Sequence, residues 1–220
     1  MTECEIKSFA GLHDAVQKHA KMSTIYRGVK STSYKLTPKL ARCGITSGNT
    51  PKAERTLIRR FKEQAVPYLT FTPESDWDWL ALAQHHGLPT RLLDWSRNPL
   101  VAAYFAVEDE SDEDGLIYAY YDKTFIDTSK HKDPFKRNRP GKFVPRHITS
   151  RITAQAGLFT IHPCPLEPFV SGFIEQIIVD RKFKRNLKRI LADYGIRRAS
   201  LFPGLDGLAQ HLLWTGLRPR

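Results

Sequence analysis

The stretch LALAQHHGLPTRLLDWSRNPLVAAYFA, residues 80–106, concentrates side chains able to do chemistry. Gln84, His85, Thr90 and Arg91 offer amide, imidazole, hydroxyl and guanidinium groups near an expected helix C-terminus. Together they suit a polar or anionic ligand. Histidine titrates near neutrality, so His85 is a candidate hydrogen-bond donor or acid/base group. His85 and His86 are neighbours, and on a helix they point about 100° apart. They cannot share one metal as i, i+4 histidines do, and no metal site is expected. The same stretch also reads as a buried polar corner joining two helices. In that reading Arg91 pairs with Asp94, and Leu92, Leu93 and Trp95 plug the core. Ala102, Ala103 and Ala106 then let another backbone approach closely.

The elements around this stretch follow from periodicity and punctuation. CEIKSF (4–9) and STIYRGVK (23–30) read as strands, with a helix near 11–20 between them. Residues 31–50 hold Pro38, Gly44 and Gly48 and read as loop. Leu57, Ile58, Phe61, Ala65 and Leu69 recur at helical spacing after Pro51. A second helix is predicted from an N-cap at Ser75 to a glycine stop at Gly87, with Pro89 preventing its continuation. Asn98-Pro99 opens a third, running to about Val107. EDESDEDG (108–115) reads as a solvated acidic loop and GLIYAYYD (115–122) as a strand. Beyond it, SKHKDPFKRNRPGKFVPRH (129–147) lacks periodicity and is expected to be mobile. A short helix at 150–156 ends at Gly157 before the strand LFTIHP; FIEQIIVD (173–180) is a further strand. RKFKRNLKRILADYG (181–195) is a basic amphipathic helix, and Leu205–Trp214 a last one. Helices in the middle with strands toward both ends predict an α+β fold, with mixed helices around a small, mostly antiparallel sheet.

At 220 residues, one domain over 1–220 is expected. The net charge of +11 favours polyanionic partners: nucleic acid, a nucleotide diphosphate or an anionic membrane surface. Phe135 and Phe143 lie among Lys and Arg in the 129–147 stretch, a mixture that could stack on unpaired bases while charges meet phosphates. Cys4, Cys43 and Cys164 are far apart, without C-x-x-C, so a reducing cytoplasm is the expected setting. The stretch MTECEIKSFAGLHD carries early acids and no apolar core, and no run approaches the roughly 20 apolar residues that span a bilayer. Rossmann, Walker and zincin motifs have no match.

YRG at 26–28 resembles the signature of the FRG domain, an aromatic residue followed by Arg-Gly. LAQHHGLPTRLLDWSRNPLVAAYFA resembles that family's central motif, and RITAQAGLFTIHP (151–163) and SLFPGLDGLAQHL (200–212) its later blocks. Some members of the family are associated with bacterial defence or toxin systems, which implies an antitoxin or other complex partner. The order of elements is also similar to that of ADP-ribosyltransferases. Those enzymes hold NAD with an arginine or histidine on an early strand and carry a glutamate or other polar group on a late one.

The second resemblance implies an NAD-consuming enzyme acting on nucleic acid or protein. Tyr26, Arg27 and Gly28 would meet the ligand, with Arg27 as a forked donor to phosphate or ribose. Gly28 would let the backbone come close. Arg91 is a second anion contact, Gln155 and Thr160 are wall residues, and Glu175 is the late-strand carboxylate. Arg27 in a salt bridge, Glu175 on a strand surface and Gln155-x-Gly157 as a plain helix end are the structural alternatives. A non-catalytic nucleic-acid-binding module and a metal-independent nuclease are the competing functions.

Overall fold

The computed structural model describes residues 3–19, 23–44, 50–109, 112–146 and 149–216. Gly48 and His147, the last residue of the 129–147 stretch, lie outside them. Seven strands form one sheet: β1 (Glu3–Ile6), β2 (Thr24–Val29), β3 (Leu92–Ser96), β4 (Gly115–Tyr121), β5 (Gly141–Phe143), β6 (Gly157–Ile161) and β7 (Ile174–Val179). Their order is β1-β7-β4-β2-β3-β6-β5, antiparallel except for β1 alongside β7. Eight α-helices complete the described fold: α1 (Phe9–His19), α2 (Thr50–Ala65), α3 (Asp76–His85), α4 (Pro99–Ala106), α5 (Ser150–Ala154), α6 (Arg181–Asp193), α7 (Arg198–Leu201) and α8 (Leu205–Gly216). The molecule is therefore α+β, with a larger sheet than the sequence suggests.

Alternation along the strands assigns two faces. Tyr26, Ile117, Ala119, Ile177 and Val179 point to one face, where α1, α4 and α6 cover them. Leu92, Phe159 and Ile161 point the same way in the other half of the sheet, beneath α2, α3 and α5. Two separate cores thus share this face. On the opposite face Ile25, Leu93, Trp95, Leu116, Tyr118 and Leu158 make one continuous core across both halves.

The helix signals act locally as their chemistry requires. Ser75 accepts from Asp78 N, Asn98 accepts from Leu100 N ahead of Pro99, and Gly87 takes φ +86° to close α3. The alanines of α4 face β2: a Cβ on Gly28 would lie 1.8 Å from Ala102 O. Gly28 thus admits a helix backbone, which is a packing reason for the glycine.

Three readings are corrected. The 80–106 stretch is not helix, turn, helix, because Leu92–Ser96 forms a central strand between the helices. Five residues are too few to show a period, and apart from Asp94 this strand is buried on both faces. The described part of the 129–147 stretch, 129–146, is built into the fold: Asp133 caps a 3₁₀ turn at Pro134–Lys136, and β5 pairs with β6. Phe143 is in the core and Phe135 packs against it under Arg55 and Arg91, so neither ring is free to stack on bases. The acidic loop is also engaged: Asp109 meets Lys30 and Lys184, and Glu108 meets Arg198. Among the described residues no helix is long and apolar enough to cross a membrane.

Candidate active-site cleft

β2 and β3 join through the single pair Tyr26↔Ser96 and then part. A cleft of about 300 Å³ opens there, between α4 on one side and α3 and α5 on the other. Its floor takes residues from both faces of the sheet, including Trp95, Ser96, Leu158 and Phe159. Where the strands part, Arg27 Nη1 donates to the Asp94 carbonyl at 2.6 Å and lies 3.5 Å from Asp94 Oδ2.

Asp94 is held from a second side. Gln84 Nε2 donates to Asp94 Oδ2 at 2.9 Å, while Gln84 Oε1 accepts from Thr90 Oγ1 at 2.6 Å. Thr90 is fully buried, and its Oγ1 also accepts from Leu92 N. A chain of hydrogen bonds from Thr90 through Gln84 thus fixes the orientation of the carboxylate. Asp94 itself remains exposed, with 55% of its side-chain surface open. It is the only carboxylate among the described residues lining the cleft, against the permanent cations of Arg27, Lys39 and Arg151.

His85 faces this cleft and His86 is exposed outside it. Their rings meet edge to face at 4.9 Å, and His85 Nδ1 is 3.4 Å from Thr149 Oγ1. Burial first, then the charges of His86 and Arg151, lower the His85 pKa to about 4. His85 is therefore a neutral imidazole at pH 7. Burial raises the pKa of the neighbouring Tyr26 phenol, which stays protonated.

The structure brings Tyr26, Arg27, Gly28, Gln84, His85 and Gln155 to one cleft. Gln155 belongs to the wall, but its amide donates to Leu201 O and its carbonyl accepts from Ser96 Oγ, so it fastens α5. Thr90 stands behind Gln84 rather than in the wall. Arg91 is 2% exposed and turned away: its N and Nε donate to Glu54 at 2.8 and 2.7 Å, and Asp94 is not its partner. Burial pushes the Glu54 carboxyl up against the pull of Arg91. Thr160 is also buried, where it accepts the Trp95 indole N–H at 2.8 Å.

Glu175 is elsewhere. It stands in register with Ala119 and Tyr26, two strand spacings or about 10 Å across the sheet from β2. There it pairs with His19 in a separate hollow lined by Lys18, Thr24 and Phe173. Arg27, one residue on from Tyr26, lies opposite Tyr118 rather than Ala119 and belongs to the other alternation. The sequence signal that could have found Asp94 instead is its place after Leu92-Leu93 in a strand-compatible run, an acid in otherwise buried surroundings.

An α+β protein with a split sheet and a polar cleft at the split is the class that these observations define. The family model described as the FRG domain matches residues 22–115 of the chain. The match takes in β2, α3, β3 and α4, and so Arg27, Gln84, His85 and Asp94. Arg151 and Gln155 lie beyond it. No curated protein and no solved structure matches the chain.

Proposed function

We propose that this cleft binds a dinucleotide of the NAD type and breaks its nicotinamide–ribose bond, as a cytoplasmic ADP-ribosyltransferase-like enzyme would. The observation that carries the reading is Asp94, a lone oriented carboxylate in a cleft whose other charged side chains, Arg27, Lys39 and Arg151, are cations. When the glycosidic bond breaks, its electron pair leaves with nicotinamide and positive charge develops at the ribose C1′. Asp94, fixed by Gln84 and Arg27, would stabilise that charge without reorganising, a contribution commonly worth about 10²–10³ in rate. An acceptor nucleophile, on nucleic acid or protein, then adds to C1′ and releases a proton. Neutral His85 can accept a hydrogen bond from that nucleophile, and with a pKa of about 4 it passes the proton on to solvent rather than keeping it. In this proposal Asp94 takes the role that the resemblance assigns to Glu175.

Incubation of the full chain with labelled NAD and candidate acceptors tests the reading. Nicotinamide release that drops at least a hundredfold in Asp94→Asn and persists in Glu175→Gln is the expected result. A chain that neither binds NAD by calorimetry nor releases nicotinamide refutes it. An Asp94→Asn variant of full activity refutes the Asp94 assignment.

A second reading, a nucleic-acid-binding module, is favoured by the exposed Arg181, Lys182, Arg185 and Arg189 of α6. Its mark is an affinity that falls with salt, with a log–log slope of about −0.9 per phosphate neutralised on duplex DNA.

A further inference from the structure

We infer that Arg151 is the anion-binding residue of the cleft and takes the diphosphate of a nucleotide ligand. The inference rests on the reading of the cleft as a nucleotide site and adds to it the group that holds the phosphates. Arg151 lies outside the residues matched by the FRG model, in the short helix α5.

The other cations of the cleft are occupied. Arg27 is bound to Asp94, and Lys39 Nζ donates to Gly87 O at 2.6 Å, where it closes the turn after α3. Arg151 is different. Among the described residues its guanidinium makes no hydrogen bond and no ion pair, although Asp94 lines the same cleft. It lies over the Phe202 ring, 4.4 Å from the centroid. A contact with the face of a ring positions the cation and leaves its five N–H donors free. A partly buried guanidinium whose N–H donors lack acceptors is costly in a folded protein. Burial pulls its pKa below the usual arginine value; the charge of Asp94 opposes this without reversing it, and the nearby charge of Arg198 adds to it. An anion entering the cleft relieves both.

The surroundings hold Arg151 in place. Arg198 lies against the same Phe202 ring, at 4.0 Å, and is itself paired with Glu108. α5 is fastened by the Gln155 amide to Leu201 O and by Ser96 Oγ to Gln155 O. Ala156, just after α5, takes φ 47°, a left-handed conformation that a non-glycine residue adopts only under constraint. The result is a planar, preorganised fork with open donors in a cleft of net positive charge. Such a fork matches paired phosphate oxygens better than a lysine does.

Calorimetry of the full chain with ADP, adenosine and inorganic pyrophosphate tests this. The wild type should bind ADP more tightly than adenosine. Arg151→Gln should weaken ADP binding at least tenfold and leave adenosine binding unchanged, and Arg151→Lys should recover only part of the loss. Pyrophosphate binding that depends on Arg151 would make the free diphosphate a sufficient ligand. Pyrophosphate binding that is absent while ADP binds would tie the site to the nucleotide, and both results support the inference. Protection gives a readout without any variant: saturating ADP should shield Arg151 of the wild type from phenylglyoxal, read by peptide mass. Equal ADP affinity in Arg151→Gln, no preference for ADP over adenosine, or Arg151 labelling unchanged by ADP each overturns it. None of these measurements needs turnover, so ADP binding without nicotinamide release would end the glycosidic reading and leave this one standing.

Discussion

His162 is 3% exposed beneath the cleft floor. Its Nε2 lies 2.8 Å from Thr160 Oγ1, the hydroxyl that also fixes the Trp95 indole. Burial, with the charge of Arg27 second, pulls its pKa from 6.5 to about 3. Between those values the unfolded chain binds a proton that the native chain refuses. Stability therefore falls as pH drops from about 6.5 toward 3, by about 1.4 kcal/mol per pH unit. His85, with a pKa of about 4, acts in the same direction. Urea midpoints measured between pH 6.5 and 5, above the carboxylate range, should show the slope of both histidines, and His162→Gln should cut it to the share of His85. A slope left undiminished by the substitution would mean that His162 titrates normally. At this scale the sequence named side chains better than it named partners. Gln84 and His85 announce themselves by type, whereas the partner of Arg91 is Glu54, 37 residues away, and only the folded chain makes that pair. Glu175 has the right type on a late strand, but the strand order puts it two strands from β2, in another hollow.

The helix α4 lies on β2 with almost no side chain between them. A Cβ on Gly28 would meet Ala102 O at 1.8 Å and Ala106 N at 2.7 Å, and these are backbone atoms that cannot rotate away. Gly28→Ala must displace α4, at a cost near the upper end of overpacking, about 3 kcal/mol. It also moves Ala102 and Phe105 in the cleft wall, so ligand affinity should fall with stability. Gly172 is a built-in control. Nothing lies within 4 Å of its added Cβ, and its alanine variant should be neutral or stabilising by about 0.4–1 kcal/mol. Equal urea midpoints for the two variants would contradict the contact. Elements with a local signature were readable from the sequence: the Ser75 and Asn98 caps, the Gly87 stop and the run of β formers in 115–121. β3, β5 and α7 were not, at five, three and four residues, because each is shorter than the window in which a period shows.

Across the whole molecule, the two halves of the sheet are joined unequally on their two sides. On the helical face the cores under α1, α4 and α6 and under α2, α3 and α5 are separate, and the cleft runs between them. On the other face one core spans the seam, with Ile25 and Leu116 from one half against Leu93, Trp95 and Leu158 from the other. Because β2 and β3 share a single ladder pair, side-chain packing on that face carries most of the mechanical continuity. Leu158 is fully buried in this seam and also reaches the floor of the cleft. Leu158→Ala should cost about 2–5 kcal/mol, as deletions from a packed core do. If the seam couples the halves, amide-exchange protection should fall by the same factor in β4, on one side, and in β6, on the other, within one unfolding transition. Ile152→Ala, in the α2, α3 and α5 core alone, should instead loosen β6 and β5 more than β4. Protection lost only from β6 and β5 in Leu158→Ala would show that the halves open independently. The cleft would then lie on a hinge rather than on a fixed split.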